Sequence, residues 1–248
     1  MSQQNNTGVV VLAAGKGTRL GCTDIPKVML EIGGQPLVSY TVETLEKMNF
    51  FPGRICLVVG FKKEKVMEYF GDRVNYVVQE ELLGTAHAAY LGMQALPKEV
   101  NQVLVMGGDD SAFYSPEALQ NLFHEHEIKG AILTLLTAEI ENPGQLGRIV
   151  RHADGSAEII EKEYLTEEQK LIKEISTGTF VFNRQWFEKM FPTMPKLRKL
   201  GEFGLPTALA MARKENVPYQ LVKLSNSREW FGVNTPEEKE EAERRKSL

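Results

Sequence analysis

The apolar run Val9-Val10-Val11-Leu12-Ala13 passes without a break into Ala14-Gly15-Lys16-Gly17-Thr18-Arg19, and Pro26-Lys27 follows a few positions later. Glycines lack the Cβ that would keep backbone N–H groups away from an anion. Arginine adds a bidentate fork and lysine a mobile point charge. Two glycines and two cations so spaced make a phosphate cradle; the same residues also fit a glycine-rich βα turn bearing two solvated cations. Two familiar phosphate loops do not fit. A dinucleotide fingerprint needs its third glycine at position 20, and a Walker loop counted from Gly15 needs its second glycine there; both meet Leu20.

A cradle of this kind belongs at the end of a buried strand, and the chain supplies a series of them. Apolar runs at 8–13, 54–60, 74–79, 102–108 and 130–138 read as strands covered on both faces, as in a parallel sheet. Between them, 36–48, 62–70, 85–96 and 116–127 carry helical periodicity. The alternation predicts a doubly wound α/β core, with ligands beyond the carboxyl ends of the strands. After about residue 140 the rhythm changes. Residues 147–163 read as a two-stranded excursion turning at Ala153-Asp154-Gly155-Ser156, 175–183 as another core strand and 204–215 as a helix. Thr235, Pro236 and Glu238 form a capping box that opens a C-terminal helix over 236–247. No internal repeat or linker stands out, so the expectation is a tail over residues 1–7 and a single domain over 8–248.

The 248 residues carry a net charge of -4, which leaves no global basic field to hold nucleic acid. Anions must be caught locally. The N-terminus has no signal-peptide pattern and no run approaches a membrane-spanning length, so a cytoplasmic protein without membrane or nucleic-acid partners is expected. Cys22 and Cys56 are far apart, the second inside a strand, in keeping with a reducing compartment. The His-Glu-His-Glu run at 124–127 reads as a solvated helix face, because residues two apart on a helix point away from each other. No Cys/His cluster has zinc spacing.

Leu-Ala-Ala-Gly-Lys-Gly-Thr-Arg-Leu followed by Pro-Lys-Val resembles the opening motif of nucleotidyltransferases that couple a nucleoside triphosphate to a sugar 1-phosphate. Stretches at 79–89, 103–113, 144–150, 158–163, 174–178 and 229–238 match in the same order, over about residues 7 to 245. Within the family the likeness is to the uridylyltransferase half of bifunctional uridylyltransferase/acetyltransferase enzymes. The resemblance implies the nucleotide-diphospho-sugar transferase fold, a Rossmann-like, mixed but mostly parallel sheet. Residues 8–140 would form its nucleotide-binding half and 141–235 its sugar-phosphate half. It implies attack of a sugar 1-phosphate on the α-phosphorus of UTP, with Mg²⁺ as cofactor. The nucleophile is already anionic, so the protein must supply charge neutralisation and alignment rather than a general base.

By the same resemblance Lys27 meets the α-phosphate, Arg19 the departing pyrophosphate, and the backbone from Leu12 and Ala13 through Ala14, Gly15, Lys16, Gly17 and Thr18 holds the nucleotide. Asp110 and Asn234 are the metal ligands; Mg²⁺ takes oxygen donors and keeps several waters, so two side chains plus phosphate suffice. In place of the usual aromatic-Gly-Asp the chain has Gly108-Asp109-Asp110, and one aspartate also suits a turn cap, as Asn234 suits a turn. Gln79, Gly84 and Thr85 fall at the base, where a glutamine amide and a backbone group can read the edge of uracil, an edge thymine shares. The same residues also fit a strand end running into a helix, with Thr85 as N-cap and His87 packed.

Gly147, Glu161, Ser176 and Thr177 fall on the sugar side. There the pattern departs: Ser176 replaces an asparagine, and Gly201-Glu202-Phe203-Gly204 lacks the family's tyrosine pair, so glucose competes with N-acetylglucosamine as the sugar. No hexapeptide repeat follows, so neither acetyl transfer nor a repeat-built trimer is expected, and the oligomeric state stays open.

Overall fold

The computed structural model describes residues 6–197 and 201–247. In chain order they form β1 (Thr7–Ala13), β2 (Glu31–Ile32), β3 (Gln35–Pro36), α1 (Leu37–Lys47), β4 (Ile55–Val59), α2 (Lys63–Phe70), β5 (Asn75–Val78), α3 (Thr85–Ala95) and β6 (Gln102–Gly107). Then follow α4 (Pro116–Ile128), β7 (Leu133–Glu139), β8 (Arg148–Arg151), β9 (Ala157–Ile160), β10 (Glu174–Asn183), α5 (Arg184–Met190), α6 (Thr207–Lys214), β11 (Tyr219–Lys223) and α7 (Pro236–Lys246). Of the expected tail over 1–7, the first five residues lie outside the described chain and Thr7 already belongs to β1.

Seven strands make one sheet in the order β11-β7-β10-β6-β1-β4-β5. Neighbours are parallel except at β10, which runs antiparallel to both β6 and β7. The apolar runs are continuous because both faces are covered. Val9 and Val11 of β1 pack with α1, α2 and α4 on one side, while Val10 packs with α3, α5 and α6 on the other. All three valines are fully buried, a burial that stabilises by roughly 1.5–3 kcal/mol per side chain. The result is the doubly wound α/β arrangement.

Because β10 runs backwards, its beginning, at Ser176 and Thr177, lies on the same sheet edge as the carboxyl ends of β1 and β6. A bulge between Ser176 and Phe180 interrupts its pairing with β7 there. The small β8–β9 hairpin forms its own two-stranded ladder. Neither α5 nor β11 stood out as apolar pattern, being short and partly exposed, and the two-residue β2–β3 hairpin is set by the turn at Gly33-Gly34.

One expectation is corrected here. The run at 124–127 is not a uniformly solvated face: His124 is exposed, but His126 is 2 % exposed and its Nδ1 lies 2.7 Å from the Thr134 hydroxyl of β7. Residues two apart do point apart, and one of the two points into the sheet. Among the described residues no helix is long and apolar enough to cross a membrane.

Candidate active site

The loop leaving β1 turns sharply at Gly17, whose φ of 69° lies in the left-handed region. A Cβ there would also stand 2.7 Å from the Lys27 Cβ. Only glycine lets the loop close onto the lysine. Leu12 accepts a hydrogen bond from Gly108 N at 2.9 Å, joining the ends of β1 and β6, and Ala13 and Ala14 are buried beneath the loop. Gly15, Lys16 and Thr18 are exposed. The N–H groups of Gly15, Lys16 and Gly17 donate to no group among the described residues. Three unspent backbone donors beside two cations are what an anion needs.

Lys27 sits at the centre. Its ammonium pairs with Asp109 and donates to Asn234 Oδ1 at 2.8 Å, with only 11 % of the side chain exposed. Arg19 reaches the same Asn234 oxygen at 3.5 Å. Asn234 is in turn held by the start of α7. The Glu238 carboxylate accepts from Asn234 N at 2.6 Å and Thr235 N at 3.0 Å, while Thr235 Oγ1 accepts from Glu238 N at 3.2 Å. The capping box is formed as expected, and it aims the residue before it. Val233 N donates to Asp109 O at 3.1 Å, tying this segment to the end of β6.

Asp110 lies next to this cluster. A Cβ on Gly232 would come within 3.0 Å of Asn234 Nδ2 and 3.8 Å of Asp110 Cβ, so the two residues flank one glycine. Asp110 Oδ1 is shut off from solvent and has no hydrogen-bond partner among the described residues. Burial first, and then the charge of Asp109, push its carboxyl well above the usual carboxylate range, with Lys27 pulling the other way. An orphaned carboxylate oxygen with two further oxygen donors, Asp109 and Asn234, beside a phosphate cradle fits a hard divalent cation. Among the described residues no three His, Cys, Asp or Glu side chains cluster as a metal cage. Asp109, whose share in the metal role the sequence leaves open, is the ion-pair partner of the central lysine.

On the far side of the loop Gln79 lines a cavity of about 470 Å³ with Lys16, Gly60, Phe61, Lys63 and Leu82, at the ends of β4 and β5. Gly84, with φ of 108°, lies so close to Phe203 that a Cβ would fall 2.5 Å from its carbonyl oxygen. Thr85 is not the N-cap of α3. That position belongs to Gly84, and Ala86 N is satisfied by Phe203 O at 2.8 Å. The Thr85 hydroxyl instead accepts from Leu205 N at 2.9 Å.

The sugar-side residues divide. Gly147 lies against Glu161, where a Cβ would be 3.5 Å from Glu161 Oε2. The Glu161 carboxylate has no hydrogen-bond or ion-pair partner among the described residues, and burial raises its pKa. Ser176 is half-buried at the start of the bulge. Thr177 is turned inward: 1 % exposed, its hydroxyl donates to Leu136 O at 2.8 Å and its carbonyl accepts from Trp230 Nε1 at 3.1 Å. Its hydroxyl is spent inside the bulge, on a carbonyl of β7, and its side chain lies on the same buried side as Ile175. Trp230, which lies in the matching stretch 229–238 but was given no role from the sequence, also lines a cleft of about 790 Å³ that opens from Arg19 and Asn234 between residues 139–146 and 227–235.

The sequence matches the nucleotidyl transferase family over residues 8–244. Bifunctional protein GlmU of Symbiobacterium thermophilum is 36% identical over 239 residues, which make up 95% of this chain and 50% of that protein. The protein of the same name from Pediococcus pentosaceus is 34% identical over 229 residues, 91% of this chain and 48% of its own. The chain therefore spans about half the length of these curated relatives. UDP-glucose pyrophosphorylase complexed with UDP-glucose superposes with a TM-score of 0.76 at 20% identity, covering 97% of this chain and 98% of that one. For the inositol-1-phosphate CTP transferase of T. maritima the TM-score is 0.73 at 20% identity, with 96% and 93% covered. Likeness at that identity speaks for the fold.

Proposed function

The chain belongs to the nucleotidyl transferase family, and from that premise we propose that it transfers the uridylyl group of UTP to a hexose 1-phosphate, N-acetylglucosamine or glucose 1-phosphate, releasing pyrophosphate. The observation that carries this reading is the Lys27 ammonium bonded to both Asp109 and Asn234 beside three unspent backbone N–H groups.

Two polyanions must be brought together for an oxygen of the sugar phosphate to attack the α-phosphorus while the bond to the β-phosphate oxygen breaks in line. No proton has to be removed from the nucleophile. Lys27 meets charge on the α-phosphate, Arg19 faces the departing pyrophosphate, and the N–H groups of Gly15 to Gly17 hold the triphosphate. Donors fixed before the reaction need no reorganisation as charge shifts. Asp110 and Asn234 would hold Mg²⁺, which when bound neutralises phosphate charge. Gln79 reads the base in the cavity beside Lys16. On the sugar side Glu161, without a partner of its own among the described residues, accepts hydrogen bonds from hydroxyl groups next to Gly147. Both cysteines are free, in keeping with a reducing, cytoplasmic setting.

Pyrophosphate release tests the reading directly, with a panel of nucleoside triphosphates against a panel of sugar 1-phosphates in the presence of Mg²⁺. Release that requires UTP and a hexose 1-phosphate together is expected. A preference for TTP or CTP corrects the nucleotide, and nucleotide binding with no release from any pair makes the protein a sensor rather than a transferase.

A further inference from the structure

The side-chain amide of Gln79 is held in one orientation. Its Nε2 donates to Gly84 O at 3.1 Å and lies 3.1 Å from His87 Nδ1. A primary amide has two N–H groups, and both are committed here. What remains for the cavity is Oε1, an acceptor with no donor among the described residues. Gln79 is 5 % exposed, so bulk water offers its amide little exchange of partners.

The arrangement depends on the histidine. Nδ1 accepts only if the ring is neutral with its proton on Nε2. Burial favours that neutral form, with Glu81 the one charge opposing it. The ring is also fixed in angle: it lies over Phe191 with centroids 6.2 Å apart and planes 24° apart, and Phe191 is itself stacked on Tyr90 at 4.6 Å. His87 stands one residue beyond Ala86, at the start of the helix that Gly84 opens.

We propose that His87 is a positioning residue for nucleotide choice: by accepting an N–H of Gln79 it turns Oε1 toward the base, and so selects a pyrimidine with a ring N3–H, uracil or thymine, over cytosine. Cytosine carries a lone pair at N3, so the same geometry sets acceptor against acceptor. A donor at position 87 sets N–H against N–H, and with no acceptor there Gly84 O alone opposes the flip that offers Nε2 to the cavity, so the discrimination falls. The inference rests on the reading above that the cavity beside Gln79 takes the base. It goes further in assigning the selectivity to a residue one shell away, where packing alone would otherwise explain a histidine.

The test is equilibrium binding of UTP and of CTP, each with Mg²⁺, to the intact chain and to three variants. His87→Leu removes the acceptor and keeps the bulk. His87→Asn brings an amide oxygen in place of Nδ1, and Gln79→Leu removes the reader. The unmodified protein is expected to prefer UTP. His87→Leu should lower the UTP-to-CTP affinity ratio by roughly tenfold or more, the scale for one mismatched buried hydrogen bond, and His87→Asn should restore most of it. A purely structural histidine would weaken both nucleotides alike, leaving the ratio unchanged, and that result overturns the proposal. So does a His87→Asn variant that loses selectivity as fully as His87→Leu. If Gln79→Leu binds UTP as well as the unmodified protein, the base site itself is misplaced and the inference falls with it. If Gln79→Leu weakens UTP while His87→Leu keeps the ratio, the base site stands and only the role of His87 is removed.

Discussion

Lys27 Nζ lies 2.8 Å from Asn234 Oδ1, although the two residues are separated by 207 positions in the chain. The contact closes the site. It binds the loop after β1 to the start of α7 across the carboxyl end of β6, where Asp109 pairs with the same ammonium. Lys27→Ala should therefore reduce kcat by 10²-fold or more, the scale for losing one preorganised electrostatic group. Steady-state pyrophosphate release measures it, and an unchanged kcat removes the lysine from the chemistry. Lys27→Arg should not restore the rate, because a planar fork cannot replace a compact ammonium between two oxygens.

The capping box does more than start α7. Glu238 accepts from the backbone of Asn234 as well as of Thr235, so Glu238→Ala should cost about 0.3–1.5 kcal/mol of stability and also raise the Mg²⁺ concentration that turnover requires. Chemical denaturation together with a Mg²⁺ titration of turnover checks both. A loss of stability with an unaltered Mg²⁺ requirement would separate the cap from the site.

Gly17→Ala places a side chain at a φ of 69° and 2.7 Å from the Lys27 Cβ. The conformational cost is on the order of 1–2 kcal/mol. The loop is largely exposed, so the global unfolding midpoint should fall little, while kcat/KM for the nucleotide falls at least tenfold. Equal activity in the alanine variant would show that the loop does not need its closed form.

Legibility in the sequence followed local physics. The buried strands were readable because covering both faces leaves an unbroken apolar run, and the glycine-bearing loop after β1 because glycine and cation spacing is itself local. The capping box at Thr235 and Glu238 was readable for the same reason. What escaped depends on tertiary contact. Asp109 and Asp110 are adjacent in the chain, and only the folding of Lys27 over them assigns the ion pair to one and the orphaned oxygen to the other. Thr177 fits a ligand pattern, but a bulge turns its hydroxyl to Leu136. Trp230 lies in the matching stretch 229–238, yet nothing local gives it a role; it becomes a wall of the cleft by donating to the carbonyl of that same threonine. His126 looked solvated because helical periodicity says which residues share a face and not which face the sheet covers.

His126 also gives the fold an acid dependence. Burial lowers its pKa from 6.5 to about 4. The unfolded chain then binds a proton as pH falls through its ordinary pKa, and the folded chain does not until about 4. This contribution to stability is complete above the unfolded value. It is lost progressively between the two, at up to about 1.4 kcal/mol per pH unit. Denaturation at pH 7, 6 and 5 should show a smaller acid-induced loss in His126→Asn than in the unmodified protein, and equal losses would assign the acid sensitivity elsewhere.

The central claim is that a divalent ion is pinned from two distant points of the chain, Asp110 and Asn234, next to the cation-bearing loop. Binding of Mn²⁺, followed by its electron paramagnetic resonance signal in the presence of UTP, tests it without relying on turnover. The unmodified protein should take up the ion with the nucleotide, and Asp110→Asn and Asn234→Ala should each weaken that uptake tenfold or more while the fold, judged by circular dichroism, is kept. Uptake of Mn²⁺ that is the same in all three proteins would contradict the account.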